Sequence, residues 1–262
     1  MTRIRLNWAE YGCEALGLGL FMVSASVFAV LLFHPGSPVV ALLPTAWVRR
    51  VLMGLAMGGT ALVNIYSPWG RRSGSHLNPA TTLAFYGLGK VGPVDLVGYG
   101  VSQLAGAVVG MVVASRLLGT RLADPAVNYV VTVPGVGGSA AAVVAEFGMT
   151  LVLLTVVLSL LVDPRWARWA GPAAATLVAI YIPLLAPVSG MSLNPARTVG
   201  SSVAAGVWTG WWIYLVAPTA GMGLAALLHL RRANGSHCAK IHHDPRYRCV
   251  FCEWTARPGN QT

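Results

Sequence analysis

Two asparagines carry the most legible chemistry in this chain. Asn78 opens Asn78-Pro79-Ala80 within SGSHLNPATTLAF, and Asn194 opens Asn194-Pro195-Ala196 within SGMSLNPARTVGS, 116 residues further on. Asn is a strong helix N-cap. Pro is favoured at the first helical position, where its missing N–H would be unpaired anyway. Each motif therefore reads as a helix start, with unpaired backbone N–H groups and about half a positive charge. Two such starts facing one point would offer hydrogen bonds to the oxygen of a neutral molecule and would repel a cation or proton. A second cluster lies in RRANGSHCAKIHHDPRYRCVFCEW, which begins at Arg231. The pair Cys249 and Cys252 has metal-chelate spacing. Cys238 and His242 supply two further ligands, and together these make a tetrahedral Cys3His site suited to zinc. A reducing compartment argues against disulfides there. The alternatives are a basic tail lying on anionic lipid and redox-active thiols.

The elements that must position these groups are membrane spans. The 262 residues are 55% hydrophobic and only 10% charged, where a soluble domain averages about 25% charged. Six apolar segments approach the roughly 20 residues that a bilayer span needs: 15–33, 51–66, 96–118, 140–162, 170–186 and 208–230. The first is too long for a signal-peptide core and lacks a small-residue cleavage site, so no cleavable leader is expected. Two segments, 78–87 and 194–206, are too short to cross. One follows span 2 and the other follows span 5, on opposite faces. Spans 1–3 and 4–6 therefore read as an inverted repeat, a pattern that points to a transport path at the repeat interface. Glu14 and Glu146 strengthen the repeat, since each lies near the start of its half. Dense glycines in the spans, Gly54, Gly58, Gly106 and Gly110 among them, read as close helix packing.

The net charge of +10 sets orientation rather than pointing to nucleic acid. With both termini cytoplasmic, thirteen Lys and Arg lie inside and four outside, with Arg197 between; this is a positive-inside bias that Arg49 and Arg50 break. Expected boundaries are a cytoplasmic N-terminal segment 1–13, a channel domain 14–230 with repeats at about 14–118 and 139–230, and a cytoplasmic Cys/His-rich tail 231–262. The asparagines of Asn234-Gly-Ser and Asn260-Gln-Thr match glycosylation sequons, but a cytoplasmic tail does not meet that machinery.

One Asn-Pro-Ala is weak, since capped helix starts are common. Two, in a shared SGxxLNPA context within oppositely oriented halves, resemble the major intrinsic protein family, the aquaporins and glycerol facilitators. The resemblance covers about residues 10 to 230. It implies an all-α membrane protein of six transmembrane helices and two re-entrant half-helices, with a pore in each subunit and usually a homotetramer. It implies a passive channel for water and small neutral solutes in the cell membrane, excluding ions and protons and requiring no cofactor. Asn78 and Asn194 fall on the family's motif asparagines, and Arg197 on its selectivity-filter arginine. Glu14 and Glu146 fall on acceptors that hold the re-entrant loops, and His76 on a loop histidine that is structural or lines the inner vestibule. Counting without gaps, the other filter positions are Met57 (Gly58 in the alternative register), Ile182 and Met191, where water channels usually carry Phe, His and a small residue or Cys. Thr198 leans towards the water channels and Leu215, after Tyr214, away from them. PVSGMSLNPAR is similar to the plant nodulin-like intrinsic proteins, which implies glycerol, ammonia and neutral metalloid acids as solutes. Two other readings compete: an ion-coupled transporter, and a sensor read through its metal- or redox-binding tail. Coupling needs titratable groups within the spans, and only Glu14 and Glu146 qualify. An enzyme is not expected, since no nucleophile–base arrangement, phosphate loop or carboxylate pair is evident.

Overall fold

The computed structural model describes residues 6–232 and 238–255. Arg3, Arg5, His237, Arg257 and both sequon asparagines lie outside them. All regular structure among the described residues is helical. Six long helices are α1 (Trp8–Phe33), α2 (Ala46–Tyr66), α4 (Pro93–Leu118), α5 (Gly138–Leu161), α6 (Ala170–Ser189) and α8 (Ile213–Arg231). Between them, besides several pieces of one or two turns, lie two half-length helices, α3 (Pro79–Gly87) and α7 (Pro195–Ala205), and a last helix, α9 (Val250–Thr255), closes the described tail. Five of the long helices are long and apolar enough to span a bilayer. The sixth, α2, has matching length but carries Arg49, Arg50 and Asn64.

The packing repeats between halves. α1 lies on α4 as α5 lies on α8, and α1 touches α2 as α5 touches α6. The short helices cross over: α3 packs on α8 and α7 on α4, while α2 and α6 join the halves directly. Each half thus encloses the short helix of the other. The glycines permit this. A Cβ on Gly106 would collide with the Ala15 backbone, and one on Gly110 with Gly19. On Gly54 and Gly58 it would meet the Ala179 and Ala175 carbonyls. We expect Gly106→Leu to force α1 from α4 and to cost about 1–3 kcal/mol. The check is a lower midpoint in detergent thermal unfolding; an unchanged midpoint would contradict the packing.

Three helix starts differ from the sequence expectation by five residues or more. α1 begins at Trp8 rather than at residue 15, and its first turns carry the buried Glu10 and Glu14, which hydropathy alone does not count as span. α2 begins at Ala46 rather than at residue 51, because its arginines find local partners. Arg49 donates to the carbonyls of Leu43 (2.6 Å) and Pro44 (3.0 Å), and Arg50 lies over Trp47. α8 begins at Ile213, five residues later than 208, because Gly210 adopts a positive φ of 64° and turns the chain. The exposed Trp208, Trp211 and Trp212 cluster there as an interfacial belt does.

Candidate functional site

The loops before α3 and α7 have the same conformation. Gly74 and Gly190, Ser75 and Met191, and Leu77 and Leu193 all have positive φ. Four of these residues are not glycine, and such backbone persists only where its surroundings over-determine it. A buried carboxylate does so in each half. Glu14 accepts from Ser73 Oγ (2.6 Å), His76 N (3.1 Å), Leu77 N (2.6 Å) and Gln103 Nε2 (2.7 Å). Glu146 accepts from Ser189 Oγ (2.8 Å), Ser192 N (2.8 Å) and Leu193 N (2.7 Å). Both carboxylates are fully buried, and these donors replace water in their solvation.

A second pair of contacts holds the same loops and was not anticipated. Tyr99 Oη donates to Ser73 O and Tyr214 Oη to Ser189 O, each at 2.7 Å. The spacing signal existed, since Tyr99 and Tyr214 sit 115 residues apart, close to the offset of the asparagines.

The asparagines do two jobs each. Asn78 Oδ1 accepts from Ala80 N (2.9 Å), and Asn194 Oδ1 accepts from Ala196 N (3.0 Å) and Arg197 N (3.3 Å). These are the expected caps. The amide nitrogens are partly committed as well. Asn78 Nδ2 donates to Leu193 O (2.8 Å), and Asn194 Nδ2 to Leu77 O (2.6 Å). The loops are therefore tied to each other across the molecule. An amide carries two N–H donors, so one on each asparagine remains beyond this tie. Both asparagines line a cavity of about 500 Å³ whose walls also include Arg50 near the start of α2 and Ile65 near its end.

That cavity also gathers the other expected residues. Met57, Ile182, Met191 and Arg197 line it, and the first three pack into one apolar cluster. Gly58 faces the Ala175 carbonyl instead and is not among the residues that line the cavity. Arg197 Nη1 is buried and has no hydrogen-bond partner among the described residues. Arg50 lies toward the mouth on that side, while Ser75, His76 and Ile241 line the cavity at the other. His76 is both structural and lining. Its Nε2 donates to Ala239 O (2.7 Å), its Nδ1 pairs with Thr82 Oγ1 (3.1 Å), and its ring is sandwiched between Phe85 and Phe251.

The tail is folded onto this end of the bundle. Ile241 N donates to Gly74 O (3.2 Å) and Lys240 Nζ to Arg71 O (2.8 Å), while Asp244 pairs with Arg71 (3.3 Å). Ala239, Lys240 and Phe251 are fully buried. One expected ligand is corrected. The group that converges is Cys238, His243, Cys249 and Cys252, whose ligand atoms all lie within 4.8 Å of one another. His242 instead lies on the Tyr66 ring, with centroids 4.8 Å apart. Docking Ile241 on the loop directs His242 to α2, and the next side chain turns to the cysteines. Cys238 Sγ is 3.3 Å from Cys249 Sγ, and Cys252 Sγ is 3.6 Å from His243 Nε2. The contact with Cys249 pushes the Cys238 thiol well above its ordinary range. The same hydrogen bonding draws Cys249 down to about 5 and Cys252 down to about 7, the thiolate character that metal binding requires.

The chain resembles known proteins along most of its length. The family model described as Major intrinsic protein matches residues 2–229. Aquaporin NIP1-4 of Oryza sativa subsp. japonica is 33% identical over 176 residues, 66% of this chain and 62% of its own. Aquaporin AqpM of Methanothermobacter marburgensis is 34% identical over 194 residues, 68% of this chain and 75% of its own. The chain spans about six tenths of the length of the first plant relatives it matches. Among solved structures, the aquaglyceroporin from Plasmodium falciparum superimposes with a TM-score of 0.68 at 23% identity, covering 85% of this chain and 95% of that one. At that identity the likeness speaks for the fold alone.

Proposed function

The chain belongs to the major intrinsic protein family, and on that premise we propose that it is a passive pore for water and small uncharged solutes such as glycerol, ammonia or neutral metalloid acids. The observation that carries this reading is the crossed pair of asparagine caps within one continuous cavity. Two helix N-termini meet there, each with about half a positive charge, and Arg197 adds a full one. A cation or hydronium ion would be repelled at each point, while a neutral molecule would meet donors for its oxygens.

Met57, Ile182, Met191 and Arg197 are assigned as the selectivity filter. Three apolar walls and one cation suit a solute with one polar edge and one carbon-bearing edge. The polar edge takes hydrogen bonds from Arg197, and the other slides along side chains that ask for none. Methionine is flexible enough to adapt to solutes of different shape. Ile182→His would add a polar group opposite Arg197 and narrow the opening. We expect it to lower glycerol flux at least severalfold more than water flux in the same liposomes. Equal loss of both would mean that residue 182 does not face the solute.

Glu14 and Glu146 favour this reading over ion coupling. Their oxygens are committed to loop donors, and the other two acids of the long helices, Glu10 and Asp95, are held by Arg72 and by Asn7 and Tyr11, so among the described residues every acid in these helices already has a partner. Flux should follow the solute gradient alone. A rate that vanished when sodium and pH gradients were both collapsed would replace the channel with a coupled transporter. We further assign the protein to a cell membrane as a homotetramer, with the face bearing both termini in the cytoplasm.

A further inference from the structure

We propose that Cys238, His243, Cys249 and Cys252 bind one zinc-class metal ion, and that this site folds the C-terminal segment into a cover over the cytoplasmic mouth of the pore. The site is argued from the tail alone; the cover rests on the channel reading above.

The donor set is three sulfurs and one imidazole nitrogen, drawn from Cys238-x4-His243-x5-Cys249-x2-Cys252. Tetrahedral zinc with Zn–S near 2.3 Å and Zn–N near 2.0 Å separates its sulfurs by about 3.8 Å and a sulfur from the nitrogen by about 3.5 Å. The 3.6 Å between Cys252 and His243 matches the sulfur–nitrogen value, and the 3.3 Å between Cys238 and Cys249 has to open by about half an ångström. The outer limit of 4.8 Å among the four needs only a small inward shift. Cys249 and Cys252 bracket the start of α9, the placement that lets a two-residue spacer present both sulfurs to one side.

A second observation is independent of the ligands. Lys240 is 1% exposed. Among the described residues its ammonium meets only carbonyl oxygens, of Arg71 and Arg248, and it forms no salt bridge. A buried charge without a counter-charge is costly. A divalent ion with three thiolates and a neutral imidazole carries a net charge of minus one. Lys240 donates its backbone N–H to Cys238 Sγ (3.5 Å), so it sits beside the site whose charge would balance its own.

The consequence for the pore is direct. Between the first ligand and the rest run Ala239, Lys240 and Ile241. They bond His76, Arg71 and Gly74 at the mouth, and Ile241 lines the cavity. The segment is too short to build a core of its own, and a structural metal supplies what a small core lacks. Metal binding therefore fixes Ile241 at the mouth, and metal loss frees it.

The test uses the full-length protein, purified without a polyhistidine tag under reducing conditions and supplied with zinc. We expect about one metal per chain by mass spectrometry, and thiolate-to-metal charge-transfer absorption when cobalt replaces zinc. His243→Ala and Cys252→Ser should weaken binding at least tenfold, while His242→Ala should leave it unchanged. A metal-free wild type, a mass two units lower from a Cys238–Cys249 disulfide in its place, or loss with His242→Ala but not with His243→Ala would overturn the site. The cover is read in proteoliposomes with the tail side accessible. Chelation should raise glycerol or water flux severalfold, and Ile241→Ala should raise it with metal still bound. Flux indifferent to both would overturn the cover. Metal bound normally with no flux in any state would leave the site standing and count against the channel instead.

Discussion

Replacing Glu146 by alanine is expected to abolish flux and to lower the unfolding midpoint more than any other single substitution in the filter half. The carboxylate is fully buried and accepts from Ser189 Oγ, Ser192 N and Leu193 N. Alanine leaves all three donors without a partner, at roughly 1–3 kcal/mol for each orphaned group. The stored backbone strain at Met191 and Leu193 then has nothing to hold it. Leu193 O is also the acceptor for Asn78 Nδ2, so the damage crosses to the other half. Glu146→Gln keeps an acceptor oxygen but turns a donor toward a donor, and should fall between wild type and alanine. Flux per folded protein and the unfolding midpoint, measured on the same preparation, check this. An alanine variant with wild-type flux would show that the carboxylate does not hold the loop.

Arg197→Val is expected to act on selectivity rather than on folding. Arg197 Nη1 has no hydrogen-bond partner among the described residues, so valine removes a charge without stranding a hydrogen bond at that atom, while Glu146 keeps its loop donors but loses a positive charge nearby. A unit charge about 4 Å from a passing cation, at an effective dielectric near 20, raises its energy by about 4 kcal/mol. The two helix N-termini would still oppose cations. We therefore expect proton or sodium leak to rise roughly ten- to a hundredfold, short of the full Coulomb value. Neutral-solute flux should change far less. A pH-sensitive dye inside the liposomes measures the leak. A variant as tight to protons as wild type would place the barrier at the asparagines alone. Arg197→Lys keeps the charge but loses the planar fork of donors, and should stay tight while altering solute preference.

These results depend on features that differ in how openly the sequence displays them. The asparagine motifs, the two glutamates and the inverted repeat are legible because each rests on local chemistry repeated at a fixed offset. The filter set Met57, Ile182, Met191 and Arg197 came from ungapped counting, and it converges because both loops are the same length. The crossed bonds from Asn78 to Leu193 and from Asn194 to Leu77 were not legible. They join residues more than a hundred positions apart, and nothing local requires them. Tyr99 and Tyr214 were hidden differently, as aromatic residues in apolar helices whose hydroxyl partners only the fold reveals. The choice of His243 over His242 turned on one residue. Spacing permitted either, and the docking of Ile241 against Gly74 decided between them. The starts of α2 and α8 were displaced because hydropathy marks where a helix is apolar, not where its backbone begins.

The central claim is a passive path for small neutral molecules through the cavity at the crossed asparagines. Stopped-flow light scattering on proteoliposomes in a glycerol gradient tests it most directly, because shrinkage reports water efflux and re-swelling reports solute entering. The predicted trace is fast shrinkage followed by fast re-swelling, both slowed to the level of empty liposomes by Glu146→Ala. Shrinkage and re-swelling no faster than in empty liposomes, from wild-type protein with its tail metal both supplied and chelated, would contradict it.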